Sequence, residues 1–239
     1  MPNFANLPEI LTGKSREHLV PLPNELSDKH ALQAEVVEAF LQLQQAAKQA
    51  GFNLQPASTY RDFERQKWIW NAKFNGERKV HDDHGCALDL SYADDWQKCQ
   101  AILRWSAVPG ASRHHWGTEI DIFDPDLLPE GRQLMLEPWE YLTGGYFQRL
   151  TNWLLVNAEQ FGFYFPFMQD HGKQIGMEPW HISYFPIAEH YERSLSPEIL
   201  QTAWENEDVA GVNCLSKHIV ELFKHYILGA NYICPIKMK

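Results

Sequence analysis

Four side chains in two short clusters have the types and spacing that could bind a metal ion. His114 and Asp121 belong to the stretch SRHHWGTEIDI, and Glu178 and His181 belong to EPWH, about sixty residues further along. Two imidazoles and one carboxylate suit a catalytic zinc ion, which keeps its fourth position open for water and lowers the pKa of that water. Glu178 is then a spare carboxylate with the chemistry of a general base.

The residues around the first cluster predict a turn followed by a strand. Residues 119–123, EIDIF, alternate polar and apolar side chains as a half-buried strand does, which places Glu119 and Asp121 on one face. Gly117 allows the tight backbone path that brings the imidazole of His114 back towards this strand.

The second cluster predicts a strand preceded by a loop. Residues 180–185, WHISYF, are aromatic and β-branched, which favours a strand that contains His181. Pro179 cannot donate to a sheet ladder, so Glu178 is expected at the mouth of the strand, on a loop that faces the cleft. His115 is a rival ligand in the first cluster. An extended backbone would point it to the opposite face, so we expect it to pack behind the site or in its wall.

These clusters, with a third at residues 58–66, resemble the motifs of the VanY-type zinc D-alanyl-D-alanine carboxypeptidases. The wider group includes D-Ala-D-Ala dipeptidases, lysostaphin-like enzymes and the hedgehog signalling domain. Ser-x-His-x-x-Gly-x-x-x-Asp is followed by Glu-x-Trp-His, and STYRDFERQ matches the Ser-x-Tyr-Arg…Gln element. The resemblance runs from about Gln55 to Tyr184. It departs from the family pattern at Glu119, where a small residue is usual, so the surroundings of the metal or the charge near the substrate are expected to differ.

The resemblance implies an enzyme with one zinc ion held by His114, Asp121 and His181. Its implied activity is hydrolysis of short peptidoglycan peptides with a D-residue at the cleavage point, by a zinc-bound water that Glu178 activates. Arg61 matches the family arginine, whose planar fork suits either the substrate carboxylate or the oxyanion that develops during attack. The resemblance is closest to the carboxypeptidase branch, so a zinc-dependent D,D- or L,D-carboxypeptidase that acts on a free C-terminal carboxylate is expected, with an endopeptidase of the same family as the alternative.

Three further residues match family positions that contact the substrate: Ser58, Gln66 and Ser112. Gln66 and Ser112 are expected to hydrogen-bond the carboxyl end of the peptide. The alternative for these two, a helix-surface amide and a turn hydroxyl, stays equally open.

Two other interpretations belong to different protein classes. One is a binding protein that keeps a zinc site without turnover, as the hedgehog resemblance allows; the presence of Glu178 and Arg61 disfavours it. The other is a cysteine hydrolase that uses Cys86 and His84, which is weaker because no third group orients that pair.

Composition narrows the class of partner. With 239 residues, 44% of them hydrophobic, the chain suits one globular domain with a sizeable core. The formal net charge of -10 argues against a nucleic-acid partner, which needs a clustered positive face. The sequence contains no apolar run of about eighteen residues, so no membrane span is expected. The expected partner is the small peptide that the resemblance implies.

Residues 1–11 lack the basic and apolar regions of a signal peptide, which predicts a cytoplasmic location, with the periplasm as the alternative. The cysteines form no Cys-x-x-Cys pair, so free thiols are expected. They are Cys86, Cys99, Cys214 and Cys234.

The resemblance implies an α+β fold in which helices pack on a small central antiparallel sheet. The chain is divided into an extended N-terminal lead-in at 1–28, a zinc peptidase domain at 29–195 and a helical C-terminal extension at 196–239, packed on the same domain. Helices are predicted at 28–51, 63–74, 96–105, 146–161 and from 197 onwards, and strands at 52–59, 87–90, 119–123, 163–167 and 180–185.

Overall fold

A computed structural model of the protein describes residues 6–23, 29–168 and 174–228. In chain order its strands are β1 Val20–Pro21, β2 Ala31–Leu32, β3 Gln55–Ser58, β4 Glu119–Phe123, β5 Phe163–Tyr164 and β6 His181–Tyr184. The centre is a four-stranded antiparallel sheet in the order β3-β4-β6-β5, and β1 pairs with β2 separately.

Helices surround this sheet. They are α1 Leu7–Leu11, α2 Ala34–Gln49, α3 Phe63–Phe74, α4 Asp95–Leu103, α5 Pro138–Tyr141, α6 Gln148–Asn157, α7 Phe185–Ser194, α8 Pro197–Trp204, α9 Val212–Lys217 and α10 Ile219–Leu222. Shorter turns are the 3-10 helices Arg113–Trp116 and Ala158–Phe161 and the π-helix Phe223–Ile227. The predicted α+β fold with a small antiparallel sheet is confirmed.

The pairing of β4 with β6 separates an apolar face of the sheet from a polar one. Ile120 lies opposite Ile182, and Asp121 lies opposite His181. Since successive side chains of a strand point to opposite faces, the isoleucines enter the core that α2 and α6 cover. Each isoleucine is fully buried and contributes about 1.5–3 kcal/mol. The same alternation turns Asp121 and His181 into a cleft on the other face.

A second core joins the helices on the other side of the molecule. Trp70 of α3, Ile102 of α4, Leu200 of α8 and Leu222 of α10 belong to one buried cluster. The helices after residue 196 therefore share a core with α3 and α4. The division of the chain at 28 and 195 stays a prediction.

The prediction that the N-terminal lead-in is extended is wrong for part of it. Leu7–Leu11 is a helix, with Pro8 in its first turn, where proline is tolerated because the backbone N–H has no helical partner. Ile10 and Leu11 are buried in the second core. A proline-rich segment with few apolar residues gave no periodic signal for so short a helix.

Several predicted boundaries move inwards. Helix α2 begins at Ala34 and not at 28, because Ala31–Leu32 pairs as a strand; position 28 itself lies outside the described residues. The aromatic strand stops at Tyr164, shortly before Pro166, which has no N–H to donate. The strand expected at 87–90 is reduced to one bridge, between His81 and Ala87.

No helix within the described ranges is long and apolar enough to cross a membrane. Three cysteines lie in those ranges, and all of them are free thiols, as expected: Cys86, Cys99 and Cys214. Cys234 lies outside the described residues.

Candidate functional site

The three side chains predicted as metal ligands lie together. His114, Asp121 and His181 are buried, and one ligand atom from each lies within 4.8 Å of the others. His114 Nε2 is 3.3 Å from Asp121 Oδ2, and His181 Nδ1 is 3.3 Å from Asp121 Oδ1. A tetrahedral zinc ion with bonds of about 2.0–2.1 Å holds its ligand atoms roughly 3.4 Å apart, so the spacing fits zinc. No second group of this kind occurs among the described residues.

A single turn of 3-10 helix carries His114 to the site. The turn spans Arg113–Trp116 and ends at Gly117, whose φ of 68° is left-handed. A side chain at Gly117 would also collide with Leu19, so the position requires glycine. His114 Nδ1 lies 2.6 Å from the carbonyl oxygen of Thr59. Because a carbonyl only accepts, Nδ1 carries the proton and Nε2 is left bare towards the other two ligands.

The ring of His181, on β6, is held by Glu119. His181 Nε2 lies 2.7 Å from Glu119 Oε2, so the imidazole donates its Nε2–H to the carboxylate and presents Nδ1 to Asp121. A carboxylate partner of this kind orients a metal-binding imidazole and raises its basicity. The departure from the family pattern at Glu119 is therefore a charged group directly behind one predicted ligand.

Glu119 is itself fixed in a buried polar network. It accepts a hydrogen bond from the Ser183 hydroxyl at 2.8 Å, and Arg113 Nη2 lies 3.4 Å from its Oε1. Arg113 also pairs with Glu192 at 2.6 Å. Burial raises the pKa of Glu119, but Arg113 and His181 outweigh burial and lower the pKa to about 2. The carboxylate behind His181 is therefore charged at neutral pH.

Negative charge is in excess around the imidazoles. Burial lowers the pKa of His181, but the carboxylates of Asp121, Glu119 and Glu178 outweigh it and hold the pKa well above its ordinary value. Asp121 Oδ1 is buried and makes no hydrogen bond, which is unfavourable for a polar atom. A cation between the three ligands would satisfy this oxygen and offset the charge, so the donor set fits a divalent metal ion.

Glu178 lies beside the ligands, on the turn that precedes β6. Its Oε2 is 3.4 Å from His181 Nδ1, and its side chain is 15% exposed. Its backbone N–H donates to the carbonyl of Phe167 at 3.0 Å, which anchors the turn to the other wall of the cleft. As predicted from Pro179, the carboxylate sits on a loop facing the cleft. This location suits a base that acts on a water next to the metal.

Arg61 is locked to the turn that carries His114. Its backbone N–H donates to the His114 carbonyl at 3.2 Å, and its carbonyl lies 2.6 Å from His115 Nδ1. Asp62 caps α3 immediately afterwards. His115 is fully buried and is no metal ligand; it lies behind the site, as expected, and positions the arginine.

Gln66 lies behind Arg61 and does not line the cleft, and its predicted substrate contact stays a prediction. It is fully buried; its Oε1 accepts from Arg61 Nη1 at 2.8 Å, and its Nε2 donates to the Ala107 carbonyl at 2.6 Å. The helix-surface alternative is wrong, because this face of α3 turns inwards. Ser58 Oγ lies 3.5 Å from Arg61 Nη2. Both side chains orient the guanidinium, and a direct role for Ser58 in substrate binding stays a prediction.

The cleft that contains these residues has a volume of about 510 Å³, within the range of small-molecule sites. Ser112 lines it, as predicted for a substrate contact, and its role stays a prediction. Trp105, Phe167 and Trp180 provide aromatic walls.

Cys86 and His84 do not belong to the cleft. They lie on an exposed turn, where the backbone N–H groups of both residues donate to Asp82 Oδ1. The position of this pair, on a turn outside the cleft that contains His114, Asp121 and His181, disfavours the cysteine-hydrolase interpretation.

The α+β fold and the cleft with its His-Asp-His cluster are those of a peptidase family. The family model described as VanY, D-alanyl-D-alanine carboxypeptidase, matches residues 29–187. The chain belongs to this family of peptidases. The match begins near β2 and ends in α7, and it includes every candidate site residue named above.

Two relatives and two solved structures are similar to this chain. An uncharacterized protein of Haemophilus influenzae is 70% identical over 101 residues, covering 42% of this chain and 69% of the relative. Another from that organism is 53% identical over 122 residues, covering 51% and 93%. The solved structure of the LdcB LD-carboxypeptidase is similar with a TM-score of 0.52 at 22% identity, over 80% of this chain and 85% of that one, which shows the fold. VanYB in complex with D-alanine-D-alanine is similar with a TM-score of 0.48 at 23% identity, over 76% of this chain and 93% of that one.

Proposed function

We propose that the chain is a zinc-dependent carboxypeptidase that removes the terminal residue from short peptidoglycan peptides with a D-residue at the cleavage point. The observation that carries the proposal is the cluster of His114, Asp121 and His181, with a buried oxygen of Asp121 left without a hydrogen bond. Glu178 lies beside the cluster, with its Oε2 3.4 Å from His181 Nδ1, and is not one of the three proposed ligands. Its carboxylate is therefore available as a general base.

The chain's own groups account for the proton transfers. When bound, zinc would lower the pKa of a water molecule and polarise the scissile carbonyl. Glu178 takes the proton of the attacking water and later donates it to the leaving amine. Arg61, whose guanidinium is oriented by Gln66 and Ser58, stabilises the anionic tetrahedral intermediate.

Mass spectrometry of peptidoglycan peptides incubated with the zinc-loaded protein tests the proposal, because it reports both whether a bond is cut and which. We expect loss of one C-terminal residue, abolished by a chelator and restored by zinc. Cleavage that persists in the chelator would contradict zinc dependence, and intact peptides throughout would favour a zinc-containing protein without turnover.

A matched pair of peptides ending in D-Ala, one with a free carboxylate and one amidated, separates a carboxypeptidase from an endopeptidase. We expect amidation to lower kcat/KM by about 10- to 100-fold, because a hydrogen-bonded charge worth about 1.5–3 kcal/mol is lost. Equal cleavage of the two peptides would rule out the carboxypeptidase and favour an internal cut.

Replacing Glu119 by glutamine is expected to weaken zinc binding by about 10- to 100-fold, because the change removes the charge that holds the His181 ring. Competition with a chromophoric chelator measures the affinity. Glu38→Gln, a change at an exposed position of α2, is the control. Equal zinc affinity in the Glu119 variant and the control would show that this carboxylate has no influence on the metal.

A further inference from the structure

One wall of the cleft carries cations that form no ion pair with an acidic side chain among the described residues. Arg61, Lys73 and Arg78 all line the cleft. None of the three forms an ion pair within the part of the chain that the structure describes. In a chain with a formal net charge of -10, such a concentration of unpaired positive charge at the candidate active site indicates an anionic ligand.

Helix α3 presents Lys73 to the cleft. Ile69 and Lys73 are four residues apart and share one helical face, and both line the cleft. The Lys73 ammonium donates to Ser106 Oγ at 2.7 Å, and Ser106 also lines the cleft. Arg78 follows the helix, and its guanidinium lies 5.5 Å from the centre of the Trp68 ring. An ammonium has three donors, so Lys73 can bind Ser106 and still donate to a ligand.

The electrostatics of Lys73 fit a site that lacks its counter-ion. Burial, together with the charges of Arg78 and Arg61, lowers the pKa of Lys73 to about 8, and Glu178 opposes the shift only in part. A half-buried ammonium among like charges is unfavourable, and a bound carboxylate would offset that.

The other acids of the cleft are engaged elsewhere. Asp82 accepts from the backbone of its own turn, and Glu137 belongs to the capping box of α5. Neither forms an ion pair with Lys73 or Arg78 among the described residues. The acids of the cleft therefore leave this wall open for a ligand.

We propose that Lys73, with Ser106 and Arg78, forms an anion subsite that binds a carboxylate of the substrate. This rests on the proposed function. The negative charges of Asp121 and Glu178 favour the charged form of Arg61, and Arg61 lies next to the reacting groups. If a separate subsite binds the substrate carboxylate, Arg61 is free to stabilise the oxyanion. The bound group is the C-terminal carboxylate or a side-chain carboxylate, which share one chemistry and are separated below.

The subsite can be tested by binding, without turnover. Zinc-loaded protein carrying Glu178→Gln is titrated calorimetrically with four forms of acetyl-Glu-Lys-D-Ala-D-Ala: free or amidated at the C-terminus, and with Glu or Gln at the first position. Lys73→Met is added to this background, with Lys48→Met, an exposed lysine at the end of α2, as the matched control. Zinc content and thermal unfolding of each variant establish that the fold is retained.

We expect Lys73→Met to weaken the free peptide by about 10- to 100-fold, and Lys48→Met to leave it unchanged. Lys73→Arg, which keeps the charge, should recover most of the affinity. If the loss vanishes when the C-terminus is amidated, the subsite binds the terminal carboxylate. If it vanishes with Gln in place of Glu, the subsite binds the side chain.

The alternative is that Lys73 has a purely structural role, in which its hydrogen bond to Ser106 connects α3 to the segment that contains Ser106. In that case Lys73→Met would lower the melting temperature and weaken all four peptides equally, or none of them, and either pattern would overturn the subsite. If the zinc protein cleaves none of these peptides, the proposed function fails, yet the binding comparison still decides the subsite. The two failures are therefore distinguishable.

Discussion

Replacing Glu178 by glutamine is expected to leave zinc bound while lowering kcat by about 10²–10⁴-fold. The carboxylate lies 3.4 Å from His181 Nδ1, close enough to reach a water next to the metal, and glutamine has nearly the same shape but cannot accept the proton. Glu178 serves in both proton transfers, so its replacement impairs two steps of the proposed reaction. Steady-state kinetics with the zinc content of each sample measures the effect.

Glu130→Gln, a change in an exposed loop, provides the matched control and should keep full activity. Near-normal turnover in a zinc-replete Glu178→Gln protein would mean that another group is the base. Loss of zinc together with activity would instead assign Glu178 to the metal and not to the proton.

Replacing His181 by alanine is expected to abolish stoichiometric zinc binding and, with it, all measurable hydrolysis. The change removes one of three ligands and leaves Glu119 buried beside Arg113 without its imidazole partner. A catalytic zinc with two protein ligands in place of three is bound far more weakly. Elemental analysis after dialysis gives the zinc-to-protein ratio.

His84→Ala, which removes an exposed imidazole outside the cleft, should bind one zinc ion as the unaltered protein does. Asp121→Asn tests the same assignment without creating a cavity, and it should also lose zinc. Undiminished zinc in either ligand variant, with the fold intact by circular dichroism, would disprove the ligand set.

The arrangement of the ligands followed closely from local sequence patterns. Alternation along EIDIF placed Glu119 and Asp121 on one face, and the register of β4 with β6 brings that face against His181. Gly117 was expected to permit a tight turn, and it adopts a left-handed φ of 68°. The alternation and the turn depend on neighbours within a few residues, so a single sequence can predict them. The register of β4 with β6 joins segments that are distant in the chain, and the sequence analysis did not predict it.

Features that depend on which way a helix faces were not predictable in the same way. Gln66 matched a substrate-contacting position, but the direction of α3 buries it against Ala107. The buried pair of Arg113 and Glu192 joins residues 79 positions apart, and nothing in the spacing connects them. Lys73 had a usable signal, since it lies seven residues after Gln66 and thus on the same helical face. Only the packed cleft shows that its ammonium forms no ion pair within the described ranges.

The location expected from residues 1–11 stays a prediction. The absence of a nucleic-acid partner also stays a prediction. Arg61, Lys73 and Arg78 line a cleft of about 510 Å³, a size that suits a small ligand.

Titration of metal-free protein with zinc, while cleavage of a free D-Ala-terminated peptide is followed, tests the central claim most directly. If His114, Asp121 and His181 hold one catalytic ion, activity should rise linearly with added zinc and stop at one equivalent per chain. Full activity before zinc is added, or no cleavage after one equivalent has bound, would contradict the account.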